Sequence, residues 1–375
     1  MSSKSHLPLV SVVVPSYNHA KFIKEAIQSI LSQTYQNFEI IIIDDCSTDG
    51  SIDVINTFVD PRIYVEQFRQ NQGAVDALNY AISKANGEYI ALLNSDDAWF
   101  PEKLDKQVSF LEDNKDIDIV FSDAVFINEC GELLGEKEYH RADQFSQNNS
   151  TSGEWLRKFF YDFNCLCHPS MMIRKELYET YRYNPSFQQL PDFKMWVELV
   201  KRHRIFVLNE KLVKFRVLSG EKNSSANTSI NRIRFSNEIY FILNTFFDNV
   251  TISDFHDGFS DLIQSDEELL SNHYILKCEQ AFLYLQMEHE LAHIYKLIGL
   301  QKLYELISED VSRSILANYF NFTDKDFFKL TGDYSGLIYG ENPLINMAKH
   351  VGRKSVESMP VIHKIVMKLR SLLLK

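Results

Sequence analysis

Short apolar runs alternate with amphipathic segments over the first 125 residues of the chain. The runs are rich in β-branched residues and predict buried strands at residues 9–14, 38–43, 63–68 and 89–93. The segments between them carry apolar residues at helical spacing and predict helices at residues 20–33, 52–58 and 72–85. This order predicts an α/β fold with a doubly wound, mostly parallel central sheet and right-handed crossovers.

Helical patterns dominate after about residue 231, for example at residues 234–247 and 267–309. We therefore expect a first domain at residues 1–230, with one half at about 8–125 and a second half at about 126–230. A C-terminal α-helical region should follow, made of a helical domain at residues 231–340 and a tail at residues 341–375.

The tail has a basic amphipathic pattern. Residues 343–375 contain seven Lys or Arg and one Glu, a net charge of +6, and residues 361–374 place six aliphatic side chains on one helical stripe. Such a helix either binds an anionic membrane surface or packs its apolar side on its own domain. The segregation of charge favours the membrane.

Composition narrows the class of partner. The net charge of −12 argues against nucleic acid, because phosphate binding requires Lys and Arg. The five scattered cysteines resemble reduced thiols and not a disulfide framework, and the N-terminus carries no apolar signal region. No apolar run reaches the ~20 residues of a transmembrane helix. We expect a cytoplasmic protein without a nucleic-acid partner.

Two adjacent carboxylates, Asp96 and Asp97, follow the fourth predicted strand. Open α/β sheets bind ligands at the carboxyl ends of their strands, and two buried like charges need a cation. Oxygen ligands without nearby Cys or His suit a hard ion, so the pair predicts a site for Mg²⁺ or Mn²⁺. Alternatively, one of the two acids caps a helix that begins near Pro101, and both roles are compatible.

Glycine-rich phosphate loops are missing from the sequence. Neither the pattern G-x-G-x-x-G nor G-x-x-x-x-G-K-[ST] occurs, which disfavours a dehydrogenase and a P-loop enzyme. A nucleotide at this sheet would need its pyrophosphate neutralised by another group. A metal ion on Asp96 and Asp97 would supply that charge.

Six short motifs occur in order along the first 100 residues: Val-Ser-Val-Val-Val-Pro-Ser-Tyr-Asn (10–18), Ser-Gln-Thr-Tyr-Gln-Asn-Phe-Glu-Ile (32–40), Ile-Asp-Asp-Cys-Ser-Thr-Asp-Gly-Ser (43–51), Asn-Gln-Gly-Ala (71–74), Gly-Glu-Tyr-Ile-Ala (87–91) and Asn-Ser-Asp-Asp (94–97). Together they make the chain resemble glycosyltransferase family 2 over about residues 8–225. That family uses nucleotide sugars and has the GT-A fold. The resemblance therefore implies a GT-A catalytic domain at residues 1–230, with a nucleotide-binding half followed by an acceptor half.

The resemblance also implies which residues bind the donor. Pro15 and Tyr17 match the loop that lines the nucleoside, with Tyr17 stacked on the base. Asp45, with Asp44 beside it, matches the acid that hydrogen-bonds a pyrimidine ring, which favours a UDP- or TDP-sugar. Asp96 and Asp97 match the acids that hold Mg²⁺ or Mn²⁺ against the diphosphate, where the ion stabilises the leaving group as a Lewis acid. The remaining residues of the implied nucleotide-binding set are Asn18, Asn71 and Gly73, with Asp96 counted in both sets.

Asp192 matches the general base of the inverting members, the carboxylate that takes the proton of the acceptor hydroxyl during its attack on the anomeric carbon. Its alternative role is that of N-cap for the following helix. His168 lies in a loop that is next to the acceptor in similar chains, and it is either an acceptor contact or a structural histidine. Arg216 and Lys222 are further candidates for contact with the acceptor or the diphosphate.

Three positions depart from the family pattern. Asn94 stands where the family usually has Asp, Pro191 where it usually has Glu, and Leu218 where it often has His. The changes remove a charge from the acidic motif, a helper carboxylate before the base, and an imidazole that would help to hold the metal or the diphosphate. Lys222 or Asn223 could replace that imidazole.

The resemblance thus implies a metal-dependent inverting enzyme, a hexosyl- or N-acetylhexosaminyl-transferase that moves a sugar to a hydroxyl of a glycan or lipid-linked acceptor. With its basic tail it would act in surface polysaccharide or lipopolysaccharide assembly, as a peripheral protein at the inner face of the plasma membrane. Two alternatives stay open. A nucleotidyltransferase would carry a Gly- and Lys/Arg-rich loop near the N-terminus, which residues 15–21 lack. A nucleotide-binding scaffold with a decayed site would account for the three departures.

Overall fold

The computed structural model describes residues 7–135, 143–218 and 228–334. The chain divides into two compact units, Met1–Asn272 and His273–Lys375. Lys222, Asn223 and the predicted basic tail lie outside the described residues.

The first unit is built around one sheet, which has eight strands within the described ranges. In chain order they are β1 (Val10–Ser16), β2 (Phe38–Asp44), β3 (Ile63–Gln67), β4 (Tyr89–Leu92), β5 (Ala98–Trp99), β6 (Ile119–Ile127), β7 (Met172–Arg174) and β8 (Ile205–Arg216). Their spatial order is β3-β2-β1-β4-β7-β6-β8-β5. Neighbours are parallel, except that β7 is antiparallel to β4 and β6 and β5 is antiparallel to β8. The predicted mostly parallel sheet is confirmed.

Helices connect these strands and follow them in the first unit. They are α1 (Ile23–Leu31), α2 (Ser51–Ile55), α3 (Ala74–Lys84), α4 (Lys103–Asp113), α5 (Ser152–Asp162), α6 (Pro191–Val200), α7 (Ser229–Asn244), α8 (Ile252–Phe259) and α9 (Glu267–Leu270). A short 3₁₀ turn at His168–Ser170 precedes β7. The helix predicted at residues 20–33 begins only at Ile23, because residues 20–22 form a turn.

The central strands of the sheet are buried. Every residue of β4 and every residue of β1 except Pro15 is buried, and Ile40–Ile43 of β2 are buried as well. A parallel strand covered on both faces reads as a continuous apolar run, which is the pattern that the sequence shows. The register of β1 and β2 pairs Ser16 with Asp44, so both strands end at the same edge of the sheet.

Helix α7 is joined to the first unit by a buried carboxylate. The side chain of Glu238 is 3% exposed and accepts hydrogen bonds from the backbone N–H groups of residues 188–190, at 2.9, 2.9 and 2.8 Å. Removing it would take away the acceptor of these three N–H groups, which is most unfavourable for the buried one at residue 190. The compact first unit ends at Asn272, whereas the sequence predicted a domain boundary at residue 230.

Helices α5 and α8 cross at two glycines. Gly153 in α5 and Gly258 in α8 approach so closely that a Cβ atom on either residue would overlap the backbone of the other. Only glycine permits two helix backbones to meet in this way.

The second unit contains the helices α10 (His273–Leu285), α11 (Ala292–Ile307), α12 (Asp310–Asn318) and α13 (Asp324–Asp333). The long pattern predicted at residues 267–309 is thus divided among α9, α10 and α11. The core of this unit includes Cys278, Ala281, Leu303, Leu306 and Leu316, and the predicted C-terminal helical region is confirmed. None of the helices within the described ranges combines the length and apolar character that a membrane crossing requires.

Candidate active site

Three loops meet at the carboxyl ends of the central strands. The Asp45 N–H donates to the Ser16 carbonyl at 2.8 Å, which joins the loop after β2 to the end of β1. The Leu93 N–H donates to the Val13 carbonyl at 3.1 Å, which joins the loop after β4 to the same strand. The segments that carry Tyr17, Asp45 and Asp96 therefore lie side by side, at the edge where open α/β sheets bind ligands.

Asp45 is fixed by the loop before α3. Its two carboxylate oxygens accept from the N–H groups of Gln72 and Gly73, at 2.6 and 2.8 Å, and the Asn71 side chain donates to the Asp45 carbonyl at 3.2 Å. Gly73 has φ +101°, a conformation that favours glycine. Burial raises the pKa of Asp45, although the two N–H donors act against this shift. The structure thus brings together three of the predicted nucleotide-binding residues, Asp45, Asn71 and Gly73.

Asp44 and Asn18 shape the adjoining loops. Asp44 is fully buried and accepts from the N–H and hydroxyl of Ser47, at 2.8 and 2.6 Å, and from the Gln67 amide at 3.1 Å. Asn18, with φ 53°, donates its N–H to the Ser47 hydroxyl and accepts at Oδ1 from the Thr48 N–H, each at 2.8 Å. Both residues hold the loop that ends β1 against the loop that ends β2.

Pro15 and Tyr17 differ in exposure. Pro15 is half-buried within β1, in register with Ile43. Tyr17 follows the strand, and its side chain is 43% exposed at the sheet edge. An exposed aromatic ring beside a rigid loop is available for stacking on a planar ligand.

The two acids after β4 differ in their surroundings. Asp97 is 2% exposed, and its oxygens accept from the Arg216 N–H at 2.7 Å and from the Asn94 amide at 3.0 Å. Burial and the neighbouring Asp96 raise the pKa of Asp97 well above its ordinary value. The Asp96 side chain is 18% exposed, and no residue of the described ranges donates a hydrogen bond to its carboxylate. The carboxylate of Asp96 is therefore available to a ligand, and we call Asp96 the open acid. The carboxylate of Asp97 is occupied by hydrogen bonds within the protein, and we call Asp97 the closed acid.

The N-cap alternative for these acids is wrong. Helix α4 begins at Lys103, and its N-cap residue is Glu102, which makes no side-chain capping bond. Asp96 and Asp97 lie before β5, too far along the chain from the helix to cap it.

Arg216 holds the backbone of the loop that carries Asp96 and Asp97. Its buried guanidinium donates to the carbonyls of Asp96 and Asn128, at 2.7 and 2.9 Å, and pairs with Glu25. It also lies 4.9 Å from the centre of the Phe22 ring. These partners differ from the diphosphate or acceptor contact that the sequence suggested for Arg216.

His19 was missed by the sequence analysis. Its Nδ1 is 2.7 Å from the hydroxyl of Ser95, its N–H donates to the Ser51 hydroxyl at 2.9 Å, and its Nε2 is 4.0 Å from an Asp96 oxygen. The available signal was only its place after the motif ending in Asn18.

Asp192 occupies the first turn of α6, one residue after Pro191. Its Oδ2 accepts from the Asn164 amide at 2.7 Å and its Oδ1 from the Phe193 N–H at 2.8 Å. The N-cap residue of α6 is Leu190, so the proposal that Asp192 caps this helix is wrong. The backbone just before Asp192 is the segment that donates hydrogen bonds to Glu238. The sequence did not predict this role of Glu238, because no local motif marks a single acid in a helix.

His168 is fixed next to Asp192. Its Nε2 is 2.9 Å from the Tyr183 hydroxyl, and burial lowers its pKa, an effect that the negative charge of Asp192 opposes. The turn that carries His168 is joined to the acidic loop because the Trp99 indole N–H donates to the Pro169 carbonyl at 2.8 Å. The structure thus links His168 with Asp192 on one side and with β5 on the other.

The acids present fit one kind of metal site. No three His, Cys, Asp or Glu side chains in the described ranges are arranged to enclose an ion by themselves. Magnesium sites that serve nucleotides use one or two carboxylates and complete the coordination shell with phosphates and water. The open carboxylate of Asp96, backed by Asp97, matches that donor set.

Comparisons with known proteins agree with this architecture. The family model "Glycosyl transferase family 2" matches residues 11–182. An uncharacterized glycosyltransferase of Methanocaldococcus jannaschii is 32% identical over 215 residues, which cover 56% of this chain and 71% of that protein. The putative teichuronic acid biosynthesis glycosyltransferase TuaG of Bacillus subtilis is 31% identical over 221 residues, covering 58% and 82%. The chain belongs to glycosyl transferase family 2.

A solved structure supports the fold. S. aureus TarS 1–349 is 17% identical and matches with a TM-score of 0.53, over 88% of this chain and 92% of that chain. At this identity the likeness concerns the fold alone, which is the GT-A-like arrangement of a mostly parallel sheet and C-terminal helices. Membership of the family makes the chain a sugar-transferring enzyme and disfavours the nucleotidyltransferase alternative.

Proposed function

We propose that the protein is an inverting glycosyltransferase that moves a sugar from a UDP- or TDP-sugar to a hydroxyl of a glycan or lipid-linked acceptor, with Asp192 as the general base. The observation that carries this proposal is the environment of Asp192. Its carboxylate is partly exposed and is oriented by Asn164 and by the Phe193 N–H. A base that is oriented but still accessible can take a proton from a bound hydroxyl.

The transfer follows from these positions. Asp192 accepts the proton of the acceptor hydroxyl while the oxygen forms a bond to the anomeric carbon. The bond from that carbon to the diphosphate oxygen breaks on the opposite face, so the configuration inverts and the nucleoside diphosphate departs with the bonding electrons. His168, fixed by Tyr183, lines the acceptor side next to the base.

The donor loops suit a pyrimidine nucleotide. Each carboxylate oxygen of Asp45 accepts one hydrogen bond from the backbone of residue 72 or 73 and keeps one further lone pair. The ring N–H of uracil or thymine is a donor that matches this lone pair. Tyr17 stacks on the base, and the Asn71 amide holds the main chain of Asp45. A purine would present a different pattern of donors at this position.

Asp96 and Asp97 provide the site for Mg²⁺ or Mn²⁺, with Asp96 as the open ligand. An ion there supplies Lewis-acid stabilisation of the leaving diphosphate. Asp97 and Arg216 keep the loop rigid, so that Asp96 stays in position before the donor binds.

The acceptor is a surface glycan or its lipid-linked precursor. The support is the similarity to TuaG, a putative teichuronic acid biosynthesis glycosyltransferase, together with the basic amphipathic pattern of residues 343–375. We place the enzyme at the inner face of the plasma membrane, held there by an anionic lipid surface. Sedimentation with vesicles that contain anionic lipid, with and without residues 343–375, tests this part separately.

Calorimetric titration with UDP, TDP and GDP, each with and without Mn²⁺, tests the donor site. We expect UDP or TDP to bind more tightly than GDP, and Asp96→Asn to abolish the dependence on Mn²⁺. The exposed Asp162→Asn is the matched control and should bind like the wild type. Binding of no nucleotide would overturn the proposal, and binding without hydrolysis or transfer would favour a scaffold.

A further inference from the structure

His19 lies between the two loops that receive the donor. It follows the turn at Asn18, and its main chain is fixed because the His19 N–H donates to the hydroxyl of the buried Ser51. Its ring is fixed by the contact of Nδ1 with the hydroxyl of Ser95, which is itself 2% exposed. A ring held at one nitrogen presents the other in a set direction.

The second nitrogen of this ring faces Asp96. The distance from Nε2 to the nearer oxygen of Asp96 is 4.0 Å, which is too long for a hydrogen bond. It is about twice the length of a bond from a divalent ion to nitrogen or oxygen, which is about 2.1 Å. Both side chains are partly exposed, at 25% and 18%, so solvent and ligands can reach the space between them.

The chemistry of the loop leaves room for a second protein ligand. Asp97 is closed by its hydrogen bonds to Arg216 and Asn94, so Asp96 by itself would offer one open carboxylate. Imidazole is a common metal ligand, and the nitrogen that binds the metal is set by the hydrogen bond of the other one. The bond from His19 to Ser95 is a partner of that kind.

We infer that His19 is a ligand of the divalent ion, binding through Nε2 beside Asp96. The inference rests on the proposed function, because it assigns a further residue to the same metal site. It makes the site a mixed carboxylate and imidazole site, in which diphosphate and water complete the shell.

A nitrogen ligand changes the preference among ions. Mg²⁺ takes oxygen ligands almost exclusively, whereas a transition ion such as Mn²⁺ also accepts imidazole. The protein with UDP should therefore prefer Mn²⁺ over Mg²⁺, and part of this preference should depend on His19.

The test compares His19→Asn with the wild type in the full-length protein with UDP. Asparagine keeps a polar atom near the position of Nδ1, and thus the contact with Ser95, but has no group at the position of Nε2. Free Mn²⁺ is measured by electron paramagnetic resonance, and Mg²⁺ by competition. We expect the variant to bind Mn²⁺ about tenfold more weakly or worse, with a much smaller change for Mg²⁺. The exposed His293→Asn on α11 is the matched control and should leave both affinities unchanged.

A spectroscopic readout separates ligation from an indirect effect. Electron spin-echo modulation of bound Mn²⁺ should show a directly bonded nitrogen in the wild type and lose it in His19→Asn. If His19→Asn does not fold, His19→Gln serves for the spectroscopic comparison alone, because its amide reaches the position of Nε2 and can bind the ion through oxygen but carries no imidazole nitrogen. Unchanged Mn²⁺ affinity in the variant and no nitrogen coupling in the wild type would overturn the inference.

The outcomes distinguish this inference from the proposed function. If the wild type binds no Mn²⁺ in the presence of UDP, the proposed metal site itself is wrong. If the wild type binds Mn²⁺ through Asp96 and the His19 variant binds it equally well, only the role of His19 is wrong. A variant that loses UDP affinity while keeping its Mn²⁺ affinity would also overturn the role of metal ligand.

Discussion

The donor side and the acceptor side that we propose for the site are held by different kinds of contact. On the donor side, Asp45 is bound by N–H groups at residues 72 and 73, in the loop that joins β3 to α3. On the acceptor side, the backbone before Asp192 is bound by Glu238 of α7, a helix that follows β8 in the sequence. The family match ends at residue 182, so it contains the donor side together with Asn164 and His168, whereas Asp192 and Glu238 lie beyond it.

The two sides can therefore vary independently. The donor cradle is made of short motifs whose residues contact each other, so it can be retained as a unit. The acceptor side depends on a contact between α6 and α7, and a change in either helix alters the position of the base. Substitutions at four positions test that separation.

Asp192→Asn should remove the base and leave the donor side intact. We expect kcat to fall by about 10²–10⁴-fold, the usual contribution of general base catalysis, while UDP affinity stays unchanged. Steady-state transfer kinetics and calorimetry measure the two quantities. A parallel loss of UDP binding would show that the two sides are not independent.

Glu238→Ala should shift the base without removing it. The N–H groups of residues 188–190 lose their acceptor, and a displaced catalytic group costs up to about 10²-fold in rate. We expect kcat to fall while UDP affinity persists, and Glu238→Gln to recover part of the rate, since its amide oxygen still accepts. The control is Glu279→Ala, an equally buried acid in the second unit. Equal losses in both alanine variants would mean a general effect on folding.

Asn94→Asp should affect only the donor side. The substitution replaces the amide that donates to Asp97 with a third carboxylate, so a hydrogen bond becomes a repulsion. Without metal, we expect the free energy of unfolding to fall by about 1–3 kcal/mol, as for a lost buried hydrogen bond. Urea titrations in EDTA and in Mn²⁺ measure this, and Mn²⁺ should stabilise the variant more than the wild type. The exposed Asn56→Asp should show neither effect.

A small pH effect should arise on the acceptor side. Burial lowers the pKa of His168, so the folded state binds the proton less readily than the unfolded chain. Stability is unaffected at high pH and falls as the pH drops below the ordinary value of about 6.5, by at most about 1.4 kcal/mol per pH unit. His168→Gln should reduce this loss in urea titrations between about pH 7.5 and about pH 5.5. An identical pH dependence in the variant would contradict the assignment to His168.

The sequence predicted the donor side better than the acceptor side for a physical reason. The strands at residues 9–14, 38–43 and 89–93 are continuous apolar runs, and the loops at their ends contain the residues that meet at the edge of the sheet. Asp45, Asn71 and Gly73 were predicted together and are found in contact. Here the local pattern and the tertiary contact involve the same short segments.

Contacts between distant segments were not predictable in this way. Arg216 was expected to face a ligand, but its partners Asp96, Asn128 and Glu25 become neighbours only when β8 aligns with β6. Glu238 appeared as one acid in a helical pattern, and the boundary at residue 230 assigned it to another domain. His19 gave no signal of its own, because its direction depends on Ser95 and Ser51.

The glycine contact between α5 and α8 limits how this protein can be recombined with its relatives. Gly153 lies inside the segment that matches the family model and Gly258 lies beyond it. A chimera that joins the matched segment to the C-terminal part of another member would separate the two glycines. Unless the new partner also has glycine at the crossing, the two helices cannot approach as closely, and α5 would be displaced in the chimera. The two positions should therefore be inherited, or exchanged, as a pair.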